Sequence, residues 1–299
     1  MRNLLSIGRW LLLAWICWGS VVCMAQTSFQ DAEYLVDLRS MRLASIEDLL
    51  KDADAADVVV LGEIHDNPKH HAWRGDLLRQ LQGPTRSVVA EHLTAPHQLD
   101  AQQALLPALK QAGFDAKGWQ WPLHEPLFAA VNERGWTLWG GNISQEDSRL
   151  VFKSKGESTP PALKTLLDQA PLNGQATKAL QQEIDQGHCG ALPAEMFEGM
   201  VAVQRARDAS MAHAAMQHLP SLVLAGNGHA WKHLGVPQII RANRPALNVL
   251  SVLLMEHEAF TTDADRQNWL NSLATEGDYL WVGPSIQRPD PCLSFRSKK

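Results

Sequence analysis

The chain has 299 residues, 45% of them hydrophobic and 20% charged, and a formal net charge of −5 at pH 7. An acidic balance with no basic run argues against nucleic acid as a partner. The length suits one large domain or two small ones.

Arg2 and Arg9 precede an apolar stretch from Trp10 to Val22, and Cys23-Met24-Ala25 then offers small residues for cleavage after Ala25. Residues 1–25 therefore read as a secretory signal peptide, and residues 26–299 as an exported, periplasmic or envelope-associated chain. Cys23 after Ser20-Val21-Val22 opens an alternative reading as a lipid-anchored cysteine, although Val22 fits the usual small residue poorly. No later stretch reaches the about 18 apolar residues of a membrane helix, so the rest is expected to be soluble or lipid-tethered. Cys189 and Cys292 are the cysteines left after cleavage. In an exported protein they read as one disulfide or as two buried thiols. There is no C-x-x-C-H for covalent haem and no C-x-x-C for zinc.

Apolar runs of strand length recur at Val58–Leu61, Ser87–Ala90, Thr137–Trp139, Leu222–Ala225, Leu247–Met255 and Tyr279–Val282. The first, second and fourth lack alternation, which suits strands covered on both faces of a mostly parallel sheet. Asp66-Asn67-Pro68 is a helix start, a capping side chain followed by proline in the first turn, and that helix should end near Gln82 before Gly83-Pro84. The alternation of strands and helices predicts an α/β fold: a mostly parallel mixed sheet flanked by helices. Residues 97–193 read differently, rich in Ala, Leu and Gln, and are expected as a smaller inserted helical subdomain between core segments of about 30–96 and 194–290. Leu192-Pro193 then opens a long helix, Ala194–His218, with Met196, Met200, Val203, Arg207 and Met211 on one broad face. Such a methionine stripe is expected as core.

Two segments far apart in the chain read alike. Val58-Val59-Val60-Leu61-Gly62-Glu63-Ile64-His65 and Leu222-Val223-Leu224-Ala225-Gly226-Asn227-Gly228-His229 are each an apolar run that breaks at glycine and presents a histidine three positions later. In open α/β sheets ligands bind beyond the carboxyl ends of the strands. The residues just past those ends are Glu63 and His65, Glu91 and His92, Asn142, and Asn227 and His229. Histidine can ligate a metal or act as a base near neutral pH, and glutamate can complete a metal site, orient a histidine or take a proton. Glu63, His65, Glu91 and His229 are thus candidate catalytic residues in one shared pocket, with His65, Glu91 and His229 as candidate ligands of a divalent metal. His70 and His71 point about 100° apart on their helix and cannot both face one point. His97, His124, His213, His218, His233 and His257 are expected as surface or capping residues, and Arg205, Arg207 and Asp208 as mid-helix charges, with Arg207 a candidate partner for a carboxylate. No G-x-S-x-G, phosphate-binding glycine loop or H-E-x-x-H occurs, so serine hydrolase, nucleotide enzyme and helical zincin readings lack support.

Leu61-Gly62-Glu63-Ile64-His65-Asp66-Asn67-Pro68 with His70-His71 resembles the opening motif of the ChaN-like haem-binding uptake proteins. His188-Cys189-Gly190 and Gln204-Arg205-Ala206-Arg207-Asp208-Ala209-Ser210-Met211-Ala212 resemble their central helix region. Ala225-Gly226-Asn227-Gly228-His229 with Gly235-Val236-Pro237, and Arg288-Pro289-Asp290-Pro291-Cys292, are similar to their later motifs. The resemblance covers nearly all of the chain past the signal. It implies an exported, often lipid-anchored haem-binding protein of iron or haem uptake, in which a homodimer holds haem between subunits. His70, His71, His188, Arg207 and Asn227 are then candidate haem contacts. The wider superfamily, with the Tiki metalloproteases and erythromycin esterases, implies the alternative of a metal-dependent hydrolase of peptide or ester bonds. The chain departs from a phenolate-ligated haem site in having two tyrosines, Tyr34 and Tyr279, neither in the helical excursion.

Overall fold

The computed structural model describes residues 33–100, 104–257, 260, 262–290 and 292–293. The expected signal peptide and the alternative anchor at Cys23 lie outside these residues. In chain order the elements are β1 (Tyr34–Asp37), β2 (Arg42–Ala44), α1 (Ile46–Ala55), β3 (Val58–Leu61), α2 (Pro68–Gln80), β4 (Ser87–Thr94), β5 (Gln98–Leu99), α3 (Leu105–Gln111) and α4 (Glu125–Glu133). There follow β6 (Leu138–Asn142), α5 (Gln145–Lys153), α6 (Pro161–Gln169), α7 (Gly174–Gly187), a 3-10 turn (Ala194–Met196) and α8 (Phe197–Gln217). The chain ends with β7 (Ser221–Leu224), α9 (Asn227–Ala230), α10 (Val236–Asn243), β8 (Val249–Glu256), α11 (Asp263–Leu273) and β9 (Tyr279–Gly283).

Among the described residues the strands form one sheet in the order β2-β1-β9-β8-β3-β7-β4-β6-β5. The six strands from β9 to β6 are parallel to their neighbours, and β1, β2 and β5 pair antiparallel at the edges. This is the mostly parallel mixed sheet that the uninterrupted apolar runs imply. β3 reads Val-Val-Val-Leu and every residue of it is buried, because β-branched side chains fill both faces of a covered strand. Val59 and Leu61 pack into a layer with α1, α2 and α4 through Leu49, Leu77 and Leu127. Val58 and Val60 face the opposite layer, with α8 and α10, through Ala209, Met211 and Ile239. The core is therefore two apolar layers, one on each side of the sheet.

α2 starts as its sequence dictates: the Asn67 side chain accepts from the Lys69 N–H at 2.9 Å, and Pro68 occupies the first turn. The elements of the stretch 97–193 divide between the sheet and its flank. β5 and β6 join the sheet and α3 and α4 belong to the first layer, so that only α5, α6 and α7 lie off the sheet, against α8. The methionine stripe on α8 also divides: Met211 is fully buried in the core, whereas Met200 lines a cavity beside α7.

Strand order positions the site. From β3 the chain steps past one empty place to β4 and β6, returns to fill that place with β7, and continues to β8 and β9 on the other side. The carboxyl ends of β3, β7 and β4 thus lie side by side at a topological switch point, where α/β sheets open a crevice. No local pattern in the sequence shows this adjacency.

Candidate functional site

Past β3 the chain crosses the end of β7 at very close range. A Cβ at Gly62 would meet Asn227 Oδ1 at 2.2 Å, and one at Gly226 would meet His65 Nε2 at 2.7 Å. Asn227 itself is structural: its side chain donates to Leu254 O at 2.7 Å and accepts from Leu254 N–H at 3.2 Å, pinning the turn after β7 to β8.

Glu63 is the hub of a buried cluster. Its Oε1 lies 2.8 Å from His65 Nδ1, 3.3 Å from His92 Nε2 and 3.6 Å from His124 Nε2. Its Oε2 lies 2.9 Å from His71 Nδ1 and in contact with the Arg74 guanidinium. His71 Nε2 reaches His65 O at 2.9 Å, and its neighbour His70 turns away to accept from the Ile64 N–H at 3.0 Å. The two adjacent histidines therefore serve different partners, as their helical spacing requires. Trp119, on the loop before α4, roofs the cluster with ring centroids 5.1 Å from His65 and 4.3 Å from His92.

Glu91 organises a second group. It accepts from the Gly226 N–H at 2.8 Å, its Oε1 lies 3.4 Å from His229 Nε2, and its Oε2 lies 3.9 Å from His65 Nε2. His229 Nδ1 lies 2.6 Å from Asp208 Oδ1, with Gln204 Nε2 at 3.1 Å. Glu91 and His92 are adjacent in β4, so they point to opposite faces: the first joins α8, the second the Glu63 cluster.

Electrostatics divides the histidines. Burial discharges His71 and His70 to about 4. Burial, reinforced by His71 and the Arg74 charge, takes His124 to about 3, and burial with His124 takes His92 well below its ordinary value. Burial also acts against charge at His229, but Glu91 and Asp208 outweigh it and push the group up to about 10. Burial opposes ionisation of Glu91 as well, yet His229, His65 and His92 hold it well below the carboxylate range.

Of the residues singled out from sequence, the fold brings Glu63, His65, Glu91, His229 and His71 into one continuous network, with His70 and Asn227 holding its backbone. His188 and Arg207 stand elsewhere, lining the cavity between α7 and α8. Two expectations are corrected. His124 is not a surface residue but 1% exposed, carried into the cluster at the start of α4. Asp208 and Arg205 are not solvated charges. Asp208 is fully buried behind His229, and Arg205 donates to Leu234 O, Ala170 O and Gln238 Oε1, tying α8 to α6 and α10. The residue that orients His229 is thus Asp208. His92 was named among the strand-end residues without a role, and Arg74 and Trp119 were not singled out, while the spacing Gln204–Asp208 marks one face of α8. Cys189 and Cys292 form a disulfide, which removes any thiol nucleophile beside His188.

The sequence matches, over residues 49–240, the family described as haem-binding uptake, Tiki superfamily, ChaN. Among solved structures the fold is similar to that of ChaN of Campylobacter jejuni, solved for cofacial heme binding. The likeness has a TM-score of 0.65 at 22% identity and covers 86% of this chain and 98% of that one. A Bacillus cereus protein aligns more loosely, with a TM-score of 0.47 at 11% identity over 82% of this chain and 94% of its own. No curated protein matches the chain. The family match spans both glycine–histidine strand ends, Glu91 and the helix that carries Asp208, and the chain belongs to the ChaN haem-binding uptake family of the Tiki superfamily.

Proposed function

We propose that this chain binds haem in the cavity between α7 and α8 and serves haem uptake at the cell envelope. The observation that carries this reading is the cavity itself, about 480 Å³, walled by Leu180, Ile184, Met200 and Val203 with His188 and Arg207 among its lining. Its size and its apolar wall with a few polar groups suit a small-molecule site. Arg207 Nε is buried with no hydrogen-bond partner, a cationic donor suited to a carboxylate such as a haem propionate. His188 Nδ1 is fixed on Ile184 O at 2.6 Å, the support that orients metal-ligating imidazoles. Haem, when bound, supplies an iron that takes an imidazole or thioether ligand, which here means His188 or Met200. Neither tyrosine lines this cavity: Tyr34 packs edge-on to His257 and the Tyr279 hydroxyl donates to Asp52.

A second copy of the chain covers the open face of the cavity in this reading. Export by the N-terminal signal, with or without a lipid on Cys23, places the site in the periplasm or on the envelope. Haemin titrated into the protein should give a shifted Soret band and raise the dimer fraction. Arg207→Ala should weaken binding by about tenfold or more, the worth of one charge-assisted hydrogen bond, and His188→Ala or Met200→Ala should move the band. No shift at micromolar haemin rejects the proposal.

A second reading, a hydrolase of peptide or ester bonds, rests on His65. Its side chain is 45% exposed at the mouth of an otherwise buried acid–base network. Glu63 holds Nδ1, which leaves Nε2, 3.9 Å from Glu91 Oε2, as a general base for water, with or without a divalent ion on His65 and Glu91. Wild type and His65→Ala should differ on peptide and ester panels with manganese, cobalt or zinc, and equal activities reject it.

A further inference from the structure

We propose that Glu63, His92 and His124 form a binding site for a first-row divalent transition ion, separate from the His65, Glu91 and His229 side of the pocket and independent of the haem reading. One oxygen of the Glu63 carboxylate and one nitrogen of each of the two imidazoles lie within 4.8 Å of one another, and all three residues are buried. Glu63 Oε1 stands 3.3 Å from His92 Nε2 and 3.6 Å from His124 Nε2. A four-coordinate ion with bonds of about 2.0–2.1 Å sets its neighbouring ligand atoms about 3.3–3.4 Å apart. Two edges of the triad are close to those of such a polyhedron, and the third, between the two imidazoles, is within 4.8 Å.

The polar bookkeeping of the cluster is also open at this point. Both ring nitrogens of His92 are buried without a hydrogen-bond partner, and His124 reaches only the Trp119 backbone, a condition that calls for a bound ion or water. Arg74 and His71 take Glu63 Oε2, which leaves Oε1 as the ligand atom and fixes the carboxylate from behind. Two imidazoles with one carboxylate oxygen suit zinc, cobalt or ferrous iron and disfavour calcium and magnesium, which take oxygen ligands. Arg74 disfavours the hard cations further, because it shares the single carboxylate charge. Three protein ligands leave a position open, the pattern of a catalytic ion. Half-exposed His65 adjoins the site, its Nδ1 lying on the same Oε1 at 2.8 Å.

The test is titration with Co2+, whose visible bands report a four- or five-coordinate nitrogen–oxygen environment. Wild type should bind one ion per chain. His92→Asn and His124→Asn should each weaken binding by more than about 100-fold, beyond the loss from a supporting residue alone, while His229→Asn keeps it. X-ray absorption of the zinc-loaded wild type should show two imidazoles and an oxygen shell, a readout that needs no variant to fold. Loss of binding in His229→Asn with retention in His124→Asn would overturn the proposal in favour of the strand-end histidines. Absence of Co2+ binding by wild type, or a coordination shell without two imidazoles, would overturn it outright. Haemin binding at the α7–α8 cavity should be unchanged in His124→Asn, so the two proposals fail separately.

Discussion

Asp208 Oδ1 lies 2.6 Å from His229 Nδ1, joining the middle of α8 to the turn that follows β7. On the other side of the ring, Nε2 faces Glu91 Oε1 at 3.4 Å. One imidazolium thus stands between two buried carboxylates, and both of its nitrogens are committed. His229 is a fixed positive post that holds Glu91 ionised, while His65, the exposed histidine of the same network, is left to meet solvent.

The pH dependence of stability follows. The folded value of His229, about 10, lies above its unfolded value of about 6.5, so its contribution is complete below about pH 6.5 and is lost as pH rises through about 10. Asp208→Asn removes one carboxylate and lowers that upper limit. At neutral pH it should cost about 3 kcal/mol, as breaking a buried ion pair does. Denaturant midpoints across this range should show the gap between wild type and Asp208→Asn narrowing toward alkaline pH. A constant gap would mean that His229 is neutral in the folded protein.

The strands and the start of α2 were legible because their signals are local: unbroken apolar runs, a glycine break, and a cap followed by proline. The two glycine–histidine ends were legible for the same reason. Their adjacency was not, because β7 enters between β3 and β4 only after the chain has built β6 and α8. His124 was hidden by its context, a polar residue before a helix that reads as a cap until tertiary packing brings Trp119 and Glu63 around it. Asp208 was hidden by its helix. α8 is covered on several sides, by α5, α6, α7, α10 and the sheet, so charge on it does not mark a solvated face. Within the stretch 97–193, β6 was legible from the run Thr137–Trp139, whereas β5, only two residues long, carries no strand signal of its own.

The two strand-end glycines should respond differently to the same added methyl. At Gly226 the obstruction is the tip of the His65 ring at 2.7 Å, a half-exposed side chain that can swing aside. Gly226→Ala should therefore fold with little loss of stability but displace His65, changing its imidazole NMR signals. At Gly62 the obstruction is Asn227 Oδ1 at 2.2 Å, and that amide is held from both sides by Leu254. Gly62→Ala should break those bonds and cost about 2 kcal/mol or more in denaturant unfolding. Equal stability of the two variants would show that the turn after β7 yields as readily as His65 does.

The Cys189–Cys292 disulfide closes a loop with a sequence separation of 103, and its first cysteine directly follows His188 at the end of α7. A loop of that length restricts the unfolded chain strongly, and removing such a bridge typically costs about 2–5 kcal/mol. Cys292→Ser and reduction of wild type should lower the unfolding midpoint to the same degree. The loss should also be felt locally, because the bridge anchors the His188 edge of the α7–α8 cavity to the C-terminal segment. Haemin affinity should thus fall more in Cys292→Ser than in Gly62→Ala, whose destabilisation arises at the other site. Equal affinities in the two variants at matched stability would separate the bridge from the cavity and leave it a purely global restraint.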